Sequence, residues 1–168
     1  RDIDDVLSVL LLARWPGLVD GSNGRVSLDV APLFESVAAL DAAGPALTRL
    51  LADPIYRDHL AARGNRQVVM IGYADSNKES GIASSRWLLR RAQEAMLAAC
   101  AAAGVHLLVF HGRGGGISRG GSRTEAVVSS LPTAVAGGQL RVTEQGETSN
   151  DRYGLQPITL LTFEQGLN

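Results

Sequence analysis

Charged side chains follow three apolar runs of this chain, at the points where buried strands would end. Glu35 follows the first run, Asp75 and Lys78 follow the second, and His111 opens a glycine-rich loop after the third. Carboxylate oxygens are the ligands that Mg²⁺ prefers, and the ion takes only one or two of them, with water and substrate oxygens completing its octahedron. Glu35 and Asp75 are therefore candidate metal ligands; helix N-capping or surface exposure is the alternative interpretation.

The loop HGRGGGISRGG, residues 111–121, combines Arg113 and Arg119 with six glycines. Glycine lets backbone N–H groups close on an anion, and guanidinium groups bind phosphate or carboxylate through a rigid, charged fork. No Lys-Ser or Lys-Thr pair follows the glycines and no ribose-binding acid is evident, so the loop matches neither a Walker A motif nor a dinucleotide-binding fingerprint. The pattern favours an anion site, with a flexible solvated loop as the alternative.

Lys78 is the only lysine of the chain, and it lies just past Asp75. Beside a metal-bound anion a lysine adds positive charge, or donates a proton if its pKa is lowered. A surface lysine at a helix start is the alternative. His111 could serve as a base, a ligand or a hydrogen-bonded structural group, whereas His59 and His106 are interpreted as structural.

Apolar runs and helix signals alternate along the chain and predict the elements that carry these residues. Continuous apolar runs predict strands over 25–35, 67–73 and 105–110, and a short strand within 137–147 that a polar loop follows. Periodicity and capping signals predict helices over 2–17, over 80–104, from Ser122 to a break at Pro132, and from residue 157. Residues 36–65 are predicted to form short helices that break at Gly44-Pro45 and at the Asp53-Pro54 cap.

Two of these helices carry an apolar stripe at helical spacing. The first helix, with Asp2 as its N-cap, is predicted to bury Ile3, Val6, Leu7, Leu10 and Leu11. The long helix is predicted to bury Ile82, Leu89, Ala92, Met96 and Cys100.

The order of strand, polar tip and helix recurs along the chain, with the tips at Glu35, Asp75, His111 and Glu144. The spacing of the tips is close to the roughly 31 residues per unit of a (β/α)8 barrel. Continuous apolar strands are typical of a parallel sheet that is covered on both faces. We therefore predict an α/β fold, a partial TIM-type barrel of about four βα units, with residues 1–168 as a single fragment of the barrel domain. An open doubly wound sheet is the alternative.

Composition narrows the function classes. The formal net charge of −1 provides no basic field for nucleic acid, and no apolar run reaches the roughly 20 residues of a membrane span. The single cysteine, Cys100, excludes an internal disulfide and is compatible with a reducing cytosol. The chain begins at Arg1 without a methionine, so we expect a piece of a longer protein.

Two motifs resemble the phosphoenolpyruvate carboxylase family. GYADSNKESG, residues 72–81, is similar to the family's active-site segment Gly-Tyr-Ser-Asp-Ser-x-Lys-Asp-x-Gly, and FHGRGGGISRGG, residues 110–121, is similar to its Phe-His-Gly-Arg-Gly-Gly-x-Ile-x-Arg-Gly-Gly loop. VAPLFES and LRVTEQGE match flanking family segments in the same order. The resemblance implies carboxylation of phosphoenolpyruvate by bicarbonate, through carboxyphosphate and an enolate, to oxaloacetate and phosphate. It also implies Mg²⁺ or Mn²⁺ as the cofactor, without biotin.

The resemblance assigns roles to individual residues. It implies that Glu35 and Asp75 coordinate the metal and that Lys78 is the family's active-site lysine. His111 and Arg113 match residues that line the substrate phosphate site.

Three further matches concern the loop and the substrate carbon. Arg119 matches a loop arginine that serves carboxylation and that contacts the aspartate inhibitor in regulated members. Leu33 and Met70 match apolar residues beside the methylene group of the substrate. The family also implies an anaplerotic role that supplies the tricarboxylic acid cycle, a cytoplasmic location, aspartate or malate as an inhibitor, and a homotetrameric parent protein.

The chain departs from the family pattern in one respect that bears on activity. The family's essential histidine in a Thr-Ala-His-Pro-Thr-Glu segment has no match here, and further phosphate-binding arginines are missing. We therefore expect the parent protein to be active and residues 1–168 alone to be inactive. The alternative is a non-catalytic anion-binding or interaction domain derived from this family. The scarcity of aromatic residues argues against an RNA-binding role for the RGG pairs.

Overall fold

The computed structural model describes residues 3–15, 17–20, 25–122, 126, 129–132, 141–143 and 146–167. The described elements are α1 (Ile3–Ala13), β1 (Leu33–Phe34), α2 (Val37–Ala52), α3 (Pro54–Ala62), β2 (Arg66–Gly72), α4 (Ala74–Ala102), β3 (His106–Gly112), a 3-10 turn (Ile117–Arg119), β4 (Arg141–Thr143), α5 (Gly146–Tyr153) and α6 (Gln156–Leu167). The tip Glu144, the cap Asp2 and most of the helix predicted after Ser122 lie outside the described residues.

The strands form one parallel sheet in the order β1-β2-β3-β4. Leu33 pairs with Met70, Ile71 with His111, and His111 in turn with Val142. Every described strand therefore ends at the same edge of the sheet, which is the edge where parallel α/β folds place their functional groups. The predicted α/β class is confirmed as a mixed fold with a parallel sheet.

The first strand is much shorter than the predicted span of 25–35. Only Leu33–Phe34 pairs with β2, because Pro32 has no N–H group to donate to a ladder. The preceding segment is held differently: Val26 forms an antiparallel bridge with Val19, and the Asp29 carboxylate accepts hydrogen bonds from Arg63 and Arg66 at 2.7 and 3.1 Å.

Helix α2 runs without interruption through Gly44 and Pro45, where a break was predicted. Packing against α4 explains the difference, because a Cβ atom at Gly44 would lie 2.9 Å from the Cβ of Ala95. This close approach of two helices offsets the roughly 3 kcal/mol that an internal proline costs a helix. The second predicted break is confirmed, since the Asp53 side chain accepts a hydrogen bond from the Tyr56 N–H at 2.9 Å.

Helix α4 begins at Ala74 rather than at residue 80 and is broken at Gly81, whose φ is +78°. The hydroxyls of Ser76 and Ser85 lie 2.8 Å apart and join the two parts across the break. Beyond it, the predicted stripe is buried except at Ile82, which is 47% exposed. The break changes the helical phase, so Ile82 does not share the face that continues to Cys100.

The pleat of the sheet separates two faces. Val69, Ile71 and Val109 lie in the hydrophobic core with buried side chains of α2 and α4. By alternation Met70 and Gly72 point to the opposite face, as do their β3 partners.

The third strand was predicted to end at His111, and β3 ends one residue later, because the ladder with β2 continues to the pair of Gly72 and Gly112. Two further predictions are wrong. The segment after β4 forms α5 instead of a polar loop, and the predicted last helix is present as α6. On α1, Leu11 is exposed rather than buried. Within the described ranges, no helix combines the length and the apolar composition that a membrane span requires.

Candidate active site

Glu35 and Asp75 lie at the same edge of the sheet. Glu35 directly follows β1, and Asp75 lies in the first turn of α4, which follows β2. Because β1 and β2 are parallel neighbours, both acids follow carboxyl ends of adjacent strands. The structure thus places the two predicted metal ligands at the edge where the sequence analysis expected them.

The Glu35 side chain lies across β2 at Gly72. A Cβ atom at Gly72 would overlap the Glu35 carboxylate, so only glycine leaves room for it. Glu35 Oε1 accepts a hydrogen bond from the N–H of Ala74 at 3.2 Å, and the Glu35 carbonyl accepts one from the N–H of Ser76 at 3.1 Å. Side chain and backbone of Glu35 are therefore both tied to the start of α4.

Asp75 and Lys78 form an ion pair one turn apart on α4. The distance between Asp75 Oδ1 and Lys78 Nζ is 3.2 Å, and the two side chains are 51% and 72% exposed. A pair this exposed contributes little to stability, because water screens it. Both groups consequently remain available to a ligand at the rim of the sheet.

The donor set at this edge fits a hard divalent cation. In the part of the chain that the structure describes, no three His, Cys, Asp or Glu side chains group closely enough to hold a metal alone. Mg²⁺ does not require such a group, because one or two carboxylates suffice when water and substrate supply the other oxygens. Glu35 and Asp75 could hold such an ion in this manner.

Tyr73, which the sequence analysis did not select, is the centre of a second group of polar side chains. It follows β2 and is 4% exposed. Its hydroxyl lies 2.8 Å from His111 Nδ1. The guanidinium carbons of Arg113 and Arg86 lie 4.7 and 5.4 Å from the centre of its ring, within the range of cation–π attraction.

His111 is fully buried and neutral near pH 7. Burial, and secondarily the charge of Arg113, lower its pKa from 6.5 to about 4. A neutral imidazole carries one N–H group, and the hydrogen bond at one nitrogen decides which nitrogen carries it. Its partner at Nδ1, the Tyr73 hydroxyl, is therefore central to what Nε2 can do.

Arg113 is 6% exposed, and its Nη1 donates to the Ser122 hydroxyl at 3.2 Å. Burial is the main cause that lowers its pKa, and the nearby charges of Arg86 and Arg152 act in the same direction while Tyr73 opposes them. Arginine nevertheless stays charged in proteins. Positive charge is thus concentrated on one side of Tyr73.

Two buried nitrogens in this cluster have no hydrogen-bond partner among the described residues. They are Nε2 of His111 and Nε of Arg113. Leaving a buried polar atom unpaired costs about 1–3 kcal/mol, so such atoms often mark a place that water or an ion completes. An anion bound here would pair both nitrogens, and the concentrated positive charge would attract it.

The glycine-rich loop folds back on itself. The N–H of Gly114 donates to the Arg119 carbonyl at 2.8 Å, and the N–H of Gly121 donates to the Gly116 carbonyl at 2.9 Å. These two N–H groups already have acceptors within the loop. The positive charge that the loop offers to an anion is therefore that of its guanidinium groups. Gly120, with φ +85°, packs directly against the Tyr73 ring.

Comparison with known protein families identifies the family to which this chain belongs. The family model of phosphoenolpyruvate carboxylase matches residues 1–168. The chain belongs to the phosphoenolpyruvate carboxylase family.

Three curated relatives, each named phosphoenolpyruvate carboxylase, illustrate the match. The protein of Xanthomonas oryzae pv. oryzae (strain MAFF 311018) is 53% identical over 161 residues, which are 96% of this chain and 18% of the relative. The protein of Parasynechococcus marenigrum (strain WH8102) is 42% identical over 95% of this chain and 16% of the relative. That of Rhodothermus marinus is 39% identical over 99% of this chain and 19% of the relative. The chain therefore spans less than a fifth of the length of these phosphoenolpyruvate carboxylases.

The predicted site residues of the chain form two groups, on opposite faces of the pleated sheet. Leu33 and Met70 are paired in register on the face away from the core, and the Met70 methyl group lies where a Cβ of Gly112 would be. His111 and Arg113 are drawn together around Tyr73. Arg119 lies exposed on the 3-10 turn of the loop.

Sequence reasoning missed Tyr73 and Arg86. Tyr73 could have been found, because an aromatic residue between a buried strand and an acidic turn stands at the functional edge of the sheet. Arg86 gave no such signal: it is one of several arginines on a long helix, and its approach to Tyr73 depends on the break at Gly81.

Proposed function

We propose that the complete protein containing this chain carboxylates phosphoenolpyruvate with bicarbonate, producing oxaloacetate and inorganic phosphate. One observation carries the proposal for this segment: His111 Nε2 and Arg113 Nε are buried and unpaired among the described residues, at the sheet edge that also bears two carboxylates. An anionic substrate would satisfy the nitrogens, and a divalent cation would join it to the carboxylates. Family membership and the names of the relatives support the same reaction.

We also propose that the sheet continues into a closed (β/α)8 barrel of which this chain supplies about four units. The strand order β1-β2-β3-β4 supports this, because it shows no reversal among the described strands. A doubly wound sheet reverses its strand order, and its ligand binds at the point of reversal. A barrel adds each strand beside the last and gathers its active site at the carboxyl edge.

Glu35 and Asp75 would hold Mg²⁺ or Mn²⁺. When bound, the ion would neutralise negative charge on substrate oxygens. The chain itself holds the two carboxylates in position. The Glu35 carboxylate lies against Gly72 and accepts a hydrogen bond from the N–H of Ala74, and the Asp75 carboxylate is carried by the first turn of α4. Lys78, which is paired with Asp75, would add a positive charge at the rim.

Arg113 and His111 would bind the phosphoryl group, with Arg119 approaching from the loop. In the reaction, bicarbonate attacks phosphorus, the bond between phosphorus and the enol oxygen breaks, and negative charge accumulates on the enolate and phosphoryl oxygens. Fixed guanidinium groups stabilise such charge most strongly where water is excluded. Leu33 and Met70 would face the substrate methylene carbon, and the loop would shield the enolate from protonation by water.

The remaining family expectations are also proposals here. We propose that Arg119 takes part in inhibition by aspartate or malate, and that the complete protein is a cytoplasmic homotetramer with an anaplerotic role. Exposed apolar side chains support burial against further protein: Trp15 is 89% exposed and Leu155 is 64% exposed.

The test is turnover by the complete protein, measured as oxaloacetate formed from phosphoenolpyruvate, bicarbonate and Mg²⁺. We expect Lys78→Ala and Arg113→Ala each to lose at least about tenfold in turnover, because removing a donor from developing charge costs that much or more. Arg90→Ala is the control: Arg90 is an exposed partner of Glu94 on α4, and its loss should leave turnover unchanged. Wild-type turnover in both site variants, or no turnover in the wild type, would overturn the proposal.

A further inference from the structure

Tyr73 makes two kinds of contact at once, and neither has a role in the reaction as proposed above. Its hydroxyl contacts the imidazole of His111, and its ring contacts the guanidinium groups of Arg113 and Arg86. We propose, on the basis of the proposed function, that Tyr73 is a positioning residue that sets the tautomer of His111 through its hydroxyl and the orientation of Arg113 through its ring.

One orientation of the Tyr73 hydroxyl leaves fewer buried groups unpaired than the other. A phenol carries its proton at neutral pH, because the ordinary pKa of tyrosine is about 10. The hydrogen-bond partner of the hydroxyl among the described residues is His111 Nδ1, 2.8 Å away, so the phenolic proton points to that nitrogen.

The reverse arrangement leaves one more group unpaired. If His111 Nδ1 carried the proton and donated to Tyr73, the phenolic proton would lack an acceptor among the described residues. An unpaired hydroxyl in a buried position is costly. With Tyr73 as the donor, His111 carries its proton on Nε2, the nitrogen that has no partner among the described residues. Tyr73 thus makes Nε2 a hydrogen-bond donor toward an anion.

The ring has a separate effect. Arg113 and Arg86 repel each other, and the negative face of the Tyr73 ring offsets part of that repulsion. The ring also supports the loop, because Gly120 packs directly on it. A planar aromatic group at this position therefore holds the Arg113 guanidinium before any substrate binds, which lowers the cost of ordering it on binding.

The two effects can be separated by two substitutions. Tyr73→Phe removes the hydroxyl and keeps the ring, whereas Tyr73→Leu removes both. Tyr56→Phe is a matched control, since Tyr56 is also fully buried and donates through its hydroxyl, at 2.8 Å, to Gln67 Oε1. Gln67 lies at the opposite end of β2, so this control loses a buried hydroxyl hydrogen bond away from the candidate site.

In the complete protein, we expect Tyr73→Phe to lower kcat about tenfold or more with little change in KM for phosphoenolpyruvate, because His111 loses its preferred tautomer. Tyr73→Leu should in addition raise KM about tenfold, which corresponds to losing a desolvated cation–π contact. Tyr56→Phe should lower thermal stability as Tyr73→Phe does, while leaving both kinetic constants unchanged. Kinetic constants of Tyr73→Phe that match those of Tyr56→Phe would overturn the proposal.

A spectroscopic measurement tests the tautomer without reference to activity. With ¹⁵N-labelled histidine in the complete protein, the His111 signals, identified by their loss in His111→Gln, should show a protonated Nε2 and an unprotonated Nδ1. In Tyr73→Phe both signals should move toward a mixture of tautomers. If they do not move, Tyr73 does not set the tautomer, even if carboxylation is confirmed. If they move but the wild type turns over no phosphoenolpyruvate, the positioning role stands and the proposed reaction fails.

Discussion

The Glu79 carboxylate accepts a hydrogen bond from the N–H of Val37, with 2.7 Å between Oε2 and the nitrogen. Val37 is the first residue of α2, whose leading N–H groups have no acceptors within the helix. Glu35 does the same for Ala74, the first residue of α4, at 3.2 Å. The two strand-to-helix junctions therefore cap each other, and the position of Glu35 is coupled to that of the segment that carries Asp75.

Glu79→Ala should break this coupling. Alanine offers no acceptor to the N–H of Val37, so we expect a loss of about 1 kcal/mol in stability. On the proposed function, the larger effect should be a several-fold increase in the Mg²⁺ concentration that half-maximal turnover of the complete protein requires. Glu94→Ala, on the exposed face of α4, is the control for removing a glutamate side chain from the same helix. Equal Mg²⁺ requirements in the two variants would contradict the coupling.

Gly120→Ala should disable the loop, whereas Gly104→Ala should be tolerated. Both glycines have positive φ, of +85° and +64°, so alanine brings a strain of about 1–2 kcal/mol at either site. Only at Gly120 would the added Cβ also strike the Tyr73 ring, while nothing lies within 4 Å at Gly104. On the proposed function, we expect Gly120→Ala in the complete protein to lose at least about tenfold in turnover and Gly104→Ala to lose stability alone. Similar turnover in the two variants would show that contact between loop and ring is unimportant.

The sheet could be predicted from local patterns, but the helix positions could not. Residues 67–73 are a continuous apolar run between polar ends, and β2 occupies Arg66–Gly72 almost as predicted. Gly44-Pro45 predicted a break because local rules count only the lost hydrogen bond. The close contact between Gly44 and Ala95 is a tertiary effect, which the sequence near Pro45 does not contain.

The candidate site was predictable as far as it depends on strand ends. Glu35 and Asp75 could be placed at one edge because parallel strands end together. The cluster around Tyr73 could not, because the contact with His111 arises from the register of β2 and β3 and the contact with Arg86 from the break in α4. The prediction that backbone N–H groups of the loop bind an anion is also wrong at Gly114 and Gly121, because these N–H groups donate to carbonyl groups of the loop.

Acid should destabilise the protein through His111. Its pKa of about 4 in the folded state lies below the ordinary 6.5, so between these values the unfolded chain binds more protons than the folded one. The contribution of His111 to the free energy of unfolding should therefore fall as the pH drops from about 6.5 to about 4, by at most about 3 kcal/mol, and change no further below.

Urea unfolding on both sides of this window, in the wild type and in His111→Gln, measures the effect. The glutamine variant should lose less stability on acidification, because it has no imidazole to protonate at this position. Burial lowers the pKa of His59 as well, so a smaller dependence on pH should remain in that variant. Identical pH dependence in the two proteins would contradict the prediction for His111.

Gly72→Ala and Gly112→Ala should separate metal binding from substrate binding. These glycines are paired across β2 and β3, and the pleat directs a Cβ atom at either position toward the same face of the sheet. At Gly72 the new methyl would displace the Glu35 carboxylate, and at Gly112 it would displace the Met70 methyl group. On the proposed function Glu35 is a metal ligand of the complete protein, and disturbing the groups that orient such a ligand typically costs about 10–100-fold in metal affinity, so Gly72→Ala should raise the Mg²⁺ requirement by about tenfold or more. Gly112→Ala should instead raise KM for phosphoenolpyruvate and leave the Mg²⁺ requirement unchanged. Titrations of both variants with Mg²⁺ and with phosphoenolpyruvate distinguish these results; the opposite pattern would contradict the roles assigned to Glu35 and Met70.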